Sequence, residues 1–388
     1  MHSAGDNDHA TLSAVQDTCS LVSTDSVCAI ESPRPAFRDR VAAYMTSLQE
    51  QIVAEFERYG LAFRRESWSR HEGGGGLSCT FPPAHSSPSE PSIDYPIEKA
   101  GVNVSRIHGT LSRKAVEHRK HLYASLQEVD DSCSFFATGL SLMFHPRNPH
   151  VSTVHANYRY FEVLDGPLTS HESAGDTQSS PKVLAWWFGV IADLNPTYLY
   201  EDDIRHFHST LKEACDFHHP GLYSIFKASC DDYIYIPHRN EYRGVGGVRF
   251  DEMDSDAMRS LLLANEPNLP EVMLARLTSQ ESLFELVQRL GNAFLPSFLP
   301  ILNRRSSIMV TDAERRWQLL RRGRAVEFSL IVDRGTKFGL ATPGIKAENI
   351  FFTMPPKASW EYLSEMGNEE GTEETRLLEV LRSPRNWV

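Results

Sequence analysis

Apolar residues first fall at helical spacing at Val41, Met45, Leu48, Ile52 and Phe56, one face of an amphipathic helix that Gly60 ends. From Gly101 the pattern turns strand-like. GVNVSRIHG, SFFATGLSLMFHP and VSTVHANYRYFEV are rich in β-branched and aromatic residues and bounded by Gly, Pro or Asn, which predicts strands. VLAWWFGVIADL follows as an apolar strand, then helices over 202–218 and 222–233, and a strand at VGGVRF. Helices near 280–290 and 311–320 come next. The second opens on Thr311 with Glu314 three residues on, the spacing of a capping box. AVEFSLIVD and ENIFFTM read as two more strands, and EETRLLEVLR as a closing helix.

Two polar stretches interrupt this order. Glycines at 73–76 and then PPAHSSPSEP flank a short strand at 77–81, and the glycines are read as a mobile loop in preference to a close backbone approach. DGPLTSHESAGDTQSSPK, residues 165–182, is read as a surface insertion. Strands gathered in the middle, with helices before, between and after, predict an α+β fold. It is built on a large, mostly antiparallel β-sheet in a single domain over 36–388, with no dividing linker and no internal repeat.

The 388-residue chain, 41% apolar and 23% charged, has a globular composition and the length for a substantial core. Its longest apolar run, ten residues at 183–192, is far short of the roughly 20 that span a bilayer. A formal charge of −12 argues against a nucleic-acid partner, so an anionic substrate needs a local basic pocket. The six cysteines show no C-x-x-C spacing, which points to reduced thiols and to neither a zinc knuckle nor a disulfide framework. Residues 1–35 are polar and carry five acids before Arg34. They match neither a secretory leader nor a transit peptide, and a disordered cytosolic tail is expected.

The segment VHANYRYF at 154–161 carries the most chemistry. On a pleated strand His155, Asn157 and Arg159 share one face and Ala156, Tyr158 and Tyr160 the other, which sets a proton-transfer group, an amide and a fixed cation in a row. The preceding strand places Ser141, Met143 and His145 on one face in the same way, a solvated polar stripe being the alternative. Asp193 ends a strongly apolar run. Low dielectric there would raise its pKa and suit it to base chemistry, unless it merely starts the turn before Pro196. Histidines are dense, and His145, His155, His208 and His238 are the quartet from which a metal site would be built. Yet His208 shares an apolar helix face with Ile204 and Leu211, which favours a structural role. Cations group at Arg321, Arg322 and Arg324, at Arg334 and Lys337 beside Asp333, and at Lys346. They suit the binding of several carboxylates, or pair with acids such as Glu314 and Glu327 on a solvated face.

Taken together, HPRNPHVSTVHANYRYFEV, AWWFG followed by DLNPTYLYEDDIRHFHSTLKEACD, DDYIYIPHRNEYRGVGG, RRGRAVEF and DRGTKFGLATPG resemble the oxygen-dependent coproporphyrinogen III oxidases of haem biosynthesis. SWSRHEGGGGLSC, EKAGVNVSRIHG and LRSPRNWV match as well, so the resemblance covers 36–388. It implies a sheet flanked on both faces by helices and a homodimer joined through a segment at 325–361. The implied reaction converts two propionates of coproporphyrinogen III to vinyl groups by oxidative decarboxylation, giving protoporphyrinogen IX. It implies dioxygen as co-substrate and no required cofactor, a divalent metal on the histidine quartet being the alternative. With no leader apparent, a cytoplasmic location is expected ahead of a mitochondrial or plastid one.

By motif, His155 matches the family's proton donor, and Ser141, Asn157, Tyr158 and Arg159 match substrate-binding residues. Gly344, Ile345 and Lys346 match a second substrate loop. Arg159 and Asp193 match the pair that holds pyrrole nitrogens or propionates, and Asp333 a further catalytic carboxylate. The chain also departs from the family's pattern. Val190 and Ile191 stand at positions that usually carry no side chain and would crowd a cleft they lined. Asn195 replaces a threonine, Arg249 an aromatic, Ala325 a tyrosine, Ser329 an asparagine and Lys346 an arginine. These departures keep open a diverged, non-catalytic relative that binds porphyrinogen or haem.

Overall fold

The apolar spacing at the start of the folded part forms helix α1 (Phe37–Glu57), with Val41, Met45, Leu48, Ile52 and Phe56 buried along one side. The structure, a computed structural model, describes residues 35–82, 95–111, 133–168, 181–341 and 346–388. The expected tail, apart from Pro35, and residues 169–180 of the expected insertion lie outside these.

The alternating segments form strands β1 (Arg64–Ser69), β2 (Gly74–Phe81), β3 (Ile97–Thr110), β4 (Ser134–Pro146), β5 (Thr153–Leu164) and β6 (Val183–Asn195). Helices α2 (Glu201–Asp216) and α3 (Leu222–Ile234) follow, then the short strands β7 (Tyr235–Ile236) and β8 (Glu241–Tyr242), and β9 (Gly246–Met253). One seven-stranded sheet runs β1-β2-β3-β4-β5-β6-β9 with every neighbouring pair antiparallel, and β7 and β8 make a separate hairpin. After β9 come α4 (Ser255–Asn265), α5 (Glu271–Leu277), α6 (Gln280–Asn292), α7 (Phe294–Arg305), α8 (Asp312–Glu327), α9 (Arg334–Ala341), α10 (Glu348–Phe351) and α11 (Glu373–Arg382).

Side-chain alternation gives the sheet two unlike faces. Val102, Leu142, Tyr158, Tyr160, Phe188 and Val190 belong to the main apolar core, on which α1 packs over β3 and β4 and α6 over β6. Phe56 of α1 stacks on Phe144 at 4.1 Å, and buried Gln49 donates to the Leu77 and Val102 carbonyls at 2.8 and 2.7 Å. The opposite face is polar. Residues 349–354 dock on its β2 to β4 side, where the Phe352 ring lies over Gly101 and Lys99 Nζ donates to the Met354 carbonyl at 2.6 Å. Helical structure therefore covers both faces, as the resemblance implies.

Two local expectations are corrected. Gly74, Gly75 and Gly76 are not in a loop but start β2. A Cβ at Gly76 would sit 2.2 Å from the Val104 carbonyl oxygen and 2.5 Å from the Trp68 ring, so the close backbone approach is what requires glycine. AVEFSLIVD and ENIFFTM are helical. α8 runs on through a π-helical turn at Phe328–Val332, and α10 covers Glu348–Phe351. Phe328 is buried while Leu330 and Ile331 are exposed, so the β-branched run has no sheet face to fill and the preceding helix extends through it.

Candidate active site

Strand register brings the central residues together. His155 lies opposite Met143 and Asp193, Asn157 opposite Ser141 and Ile191, and Arg159 opposite Gly139 and Gly189. Directly paired residues leave a sheet on the same side, so Ser141, His155, Asn157, Arg159 and Asp193 share the polar face.

At its centre the His155 Nδ1–H donates to Asp193 Oδ1 at 2.7 Å. Asp193 is fully buried, and its Oδ2 accepts from Asn195 at 2.9 Å and from Arg243 at 2.5 Å. Arg243 comes from the turn between β8 and β9 and lies over the Phe328 ring, 4.4 Å from its centre. Burial alone would raise the Asp193 carboxyl, but Arg243, His155 and Asn195 together hold it well below the usual carboxylate range. The pKa expected from the apolar strand is thus reversed. An ionised Asp193 only accepts hydrogen bonds, so Nδ1 keeps its proton and Nε2 is the His155 atom left for proton exchange.

Arg159 extends over Gly189 and donates from Nε to Asn157 Oδ1 at 3.0 Å. A Cβ at Gly189 would meet Arg159 Cγ at 3.1 Å and Asp251 Oδ1 at 2.9 Å, so glycine there makes room for both side chains. Asn103, opposite Ser141, keeps a buried Oδ1 with no partner among the described residues. Tyr233 of α3 donates its hydroxyl to Asp333, which also accepts from the Thr336 amide at 2.6 Å. Burial raises the Asp333 carboxyl, and these donors outweigh it and leave it below its ordinary value. Burial and Asp333 push the Tyr233 hydroxyl up to about 12. Beside α3 a cavity of about 670 Å³ is lined by Ser229, Asp232, Tyr233, Tyr235, Arg249 and Arg334, among others.

Other expected residues sit elsewhere. Tyr158 leaves the polar face for the helical core, its hydroxyl on the Leu290 carbonyl at 3.2 Å. Of the two branched departures, Val190 lies in that same core. Only Ile191 faces the polar side, packed with Cys230 and Ile234 of α3. The histidine quartet is not gathered. His145 binds the Thr353 carbonyl, His208 the Tyr223 hydroxyl and His238 Glu327, while His155 holds Asp193. Among the described residues no three His, Cys, Asp or Glu side chains are placed as a metal site needs.

The arginine run of α8 is also committed to carboxylates of the chain itself. Arg321 pairs with Glu241 and Arg322 with Glu98, both at 2.8 Å, and Arg324 with Glu327 at 3.1 Å. Gly344 and Ile345 lie outside the described residues, and Lys346 is exposed. Sequence reasoning missed Arg243 and Tyr233. Both stand inside quoted motifs, but an arginine immediately before GVGG gives no sign of a partner 50 residues earlier in the chain.

Comparison with known proteins fits this geometry. The family model for coproporphyrinogen III oxidase matches residues 40–387. A human protein named oxygen-dependent coproporphyrinogen-III oxidase, mitochondrial, is 42% identical over 329 residues, 85% of this chain and 62% of its own length. The Drosophila melanogaster oxygen-dependent coproporphyrinogen-III oxidase is 42% identical over 351 residues, 89% of this chain and 77% of that protein. One from Synechococcus sp. (strain CC9605) is 39% identical over 371 residues, covering 92% of this chain and 90% of the relative. This chain therefore spans less than two thirds of the human protein's length but nearly all of the cyanobacterial one's. With the match running across the strands that carry His155, Arg159 and Asp193, the chain belongs to the coproporphyrinogen III oxidase family.

Proposed function

We propose that this site decarboxylates two propionates of coproporphyrinogen III in succession to vinyl groups, giving protoporphyrinogen IX with dioxygen as oxidant. One observation carries the reading. A proton-handling histidine, fixed by a buried ionised carboxylate, stands four residues along the same strand face from an arginine suited to a carboxylate, in a chain of this family. In each step the carboxylate leaves as carbon dioxide and the carbon next to the pyrrole gives up a hydride equivalent. Dioxygen takes that hydride and one proton, reaching the level of hydrogen peroxide. A porphyrinogen is itself strongly reducing, so the protein's task is placement and charge.

Arg159, with Asn157 and Ser141, holds a propionate. His155 exchanges the proton through Nε2, and Asp193 is a positioning residue that fixes the ring's orientation and tautomer. Asp333, ionised beside Tyr233, stabilises positive charge developing on the macrocycle. The scheme uses no metal or organic cofactor, and turnover is expected to survive a chelator. Loss of turnover with rescue by a divalent cation would replace it with a metal-dependent oxidase.

The same reading takes the chain as a homodimer joined over 325–361, supported by Leu330, Ile331, Leu340 and Trp360, large apolar side chains about half exposed. Sedimentation at twice the chain mass checks it, and a monomer under assay conditions would remove it. The activity is tested by mixing protein and coproporphyrinogen III without air, then admitting air and following the tricarboxylic intermediate and the divinyl product. Binding with neither product would make the chain a porphyrinogen carrier and overturn the oxidase reading.

A further inference from the structure

The substrate proposed above carries four carboxylates, and Arg159 answers for one. The arginines of α8 are spent on Glu98, Glu241, Glu327 and Glu361, and Arg243 on Asp193. Strand β9 supplies a further guanidinium on the same face of the sheet. Arg249 of β9 pairs in register with Ile191, itself paired with Asn157, so its side chain leaves the sheet on the side of His155 and Arg159. Two strand spacings, about 10 Å, separate its backbone from that of β5. Arginines that far apart on one floor can take two acid groups of a single macrocycle.

The surroundings of Arg249 hold it in place without consuming it. Its guanidinium lies over the Tyr233 ring, 4.3 Å from the centre, the same ring whose hydroxyl binds Asp333. It donates to Ser229 Oγ at 3.3 Å and to Asp251 Oδ2 at 3.2 Å. The contacts lie at or beyond the long end for such bonds, about 2.7–3.2 Å, and use two of its five N–H donors. Compare Arg239, which grips Glu327 through two bonds of 2.6 and 2.7 Å. Asp251 is 39% exposed, so a carboxylate from outside competes for Arg249 with a well-hydrated acid. Arg249 also opens on the 670 Å³ cavity beside α3, within the about 300–1,000 Å³ usual for small-molecule sites.

We propose that Arg249 is a second carboxylate anchor of the cleft, taking one of the two propionates that stand where mesoporphyrin IX has ethyl groups, and so sets the chain's preference for tetrapyrroles with more than two acid side chains. The inference rests on the oxidase reading only for the identity of the tetrapyrrole. It is tested with redox-inert porphyrins, coproporphyrin III with four carboxylates and mesoporphyrin IX with two, titrated against the full chain by tryptophan quenching. Arg249→Ala is expected to weaken coproporphyrin binding about tenfold or more, the weight of a charge-assisted hydrogen bond, while moving mesoporphyrin by less than about twofold. Arg249→Lys, which keeps charge and loses the fork, falls between and remains informative should the alanine variant fail to fold.

Equal losses for both porphyrins, no loss for either, or a wild-type chain that binds neither would overturn the assignment. Wild-type turnover separates the two claims. A chain that binds coproporphyrin through Arg249 but forms no divinyl product loses the oxidase reading alone. Normal turnover with unchanged binding in Arg249→Ala removes the anchor alone.

Discussion

Between His155 and Asp193, one 2.7 Å hydrogen bond joins a residue proposed for chemistry to one that also holds the structure together. Their substitutions should separate these roles. In His155→Gln, Asp193 keeps Arg243 and Asn195, so stability should change by no more than about 1 kcal/mol. Turnover should fall by about 100-fold or more with loss of the proton-transfer group. In Asp193→Asn the Arg243 guanidinium stays buried without its counter-charge, which costs about 3–5 kcal/mol. Urea unfolding midpoints beside single-turnover rates read both effects. An Asp193→Asn chain as stable as wild type would show that the pair with Arg243 carries no weight. The row His155, Asn157, Arg159 was legible because a strand's period of two follows from backbone geometry alone. The charge state of Asp193 was not, because it depends on Arg243, Asn195 and His155 meeting in one buried place.

Elements with a strong local signal formed where their patterns lie, and the clearest is α8. Thr311 accepts from the Glu314 amide while the Glu314 carboxylate accepts from the Thr311 amide, the reciprocal pair that the spacing predicts. Thr311→Ala should therefore cost about 1 kcal/mol, read as a lower denaturant midpoint with unchanged turnover. A midpoint equal to wild type would mean that the helix end is held by other contacts. β1, α4, α5 and α7 escaped notice, being short, weakly periodic or, in α7, interrupted by Pro300. The far end of α8 misled for the opposite reason. FSLIV has strand composition, but composition is a weak preference that a helix already propagating from Asp312 overrides.

Across the whole molecule, burial of histidines sets a pH limit on stability. His145 and His208 are buried, and burial lowers each to about 3. Unfolded, each titrates near 6.5, so between about 3 and 6.5 the unfolded chain binds the extra protons and stability falls as the pH drops. Full stability is present above pH about 6.5. Its loss toward pH 4 is expected to reach about 3 kcal/mol per pH unit from the pair. His150 and His218, also lowered by burial, add in the same direction. The depressed Asp193 carboxyl adds a further loss as the pH falls below the unfolded value of about 4. Guanidinium midpoints between pH 7 and 4 measure the slope, and a flat profile would contradict the burial.

Residue order alone was enough for the long central strands and their alternation, for α1 and the cap of α8, and for the family with its row of polar residues on β5. These follow from local rules, side-chain period and capping chemistry, which act over a few residues. Which cations are spent, what His145 and His238 bind, which of Val190 and Ile191 faces the polar side, and where Arg249 stands emerged only from the packed fold. Each depends on groups distant in sequence sharing a few ångströms of low-dielectric space, where a partner's presence reverses what burial alone would do.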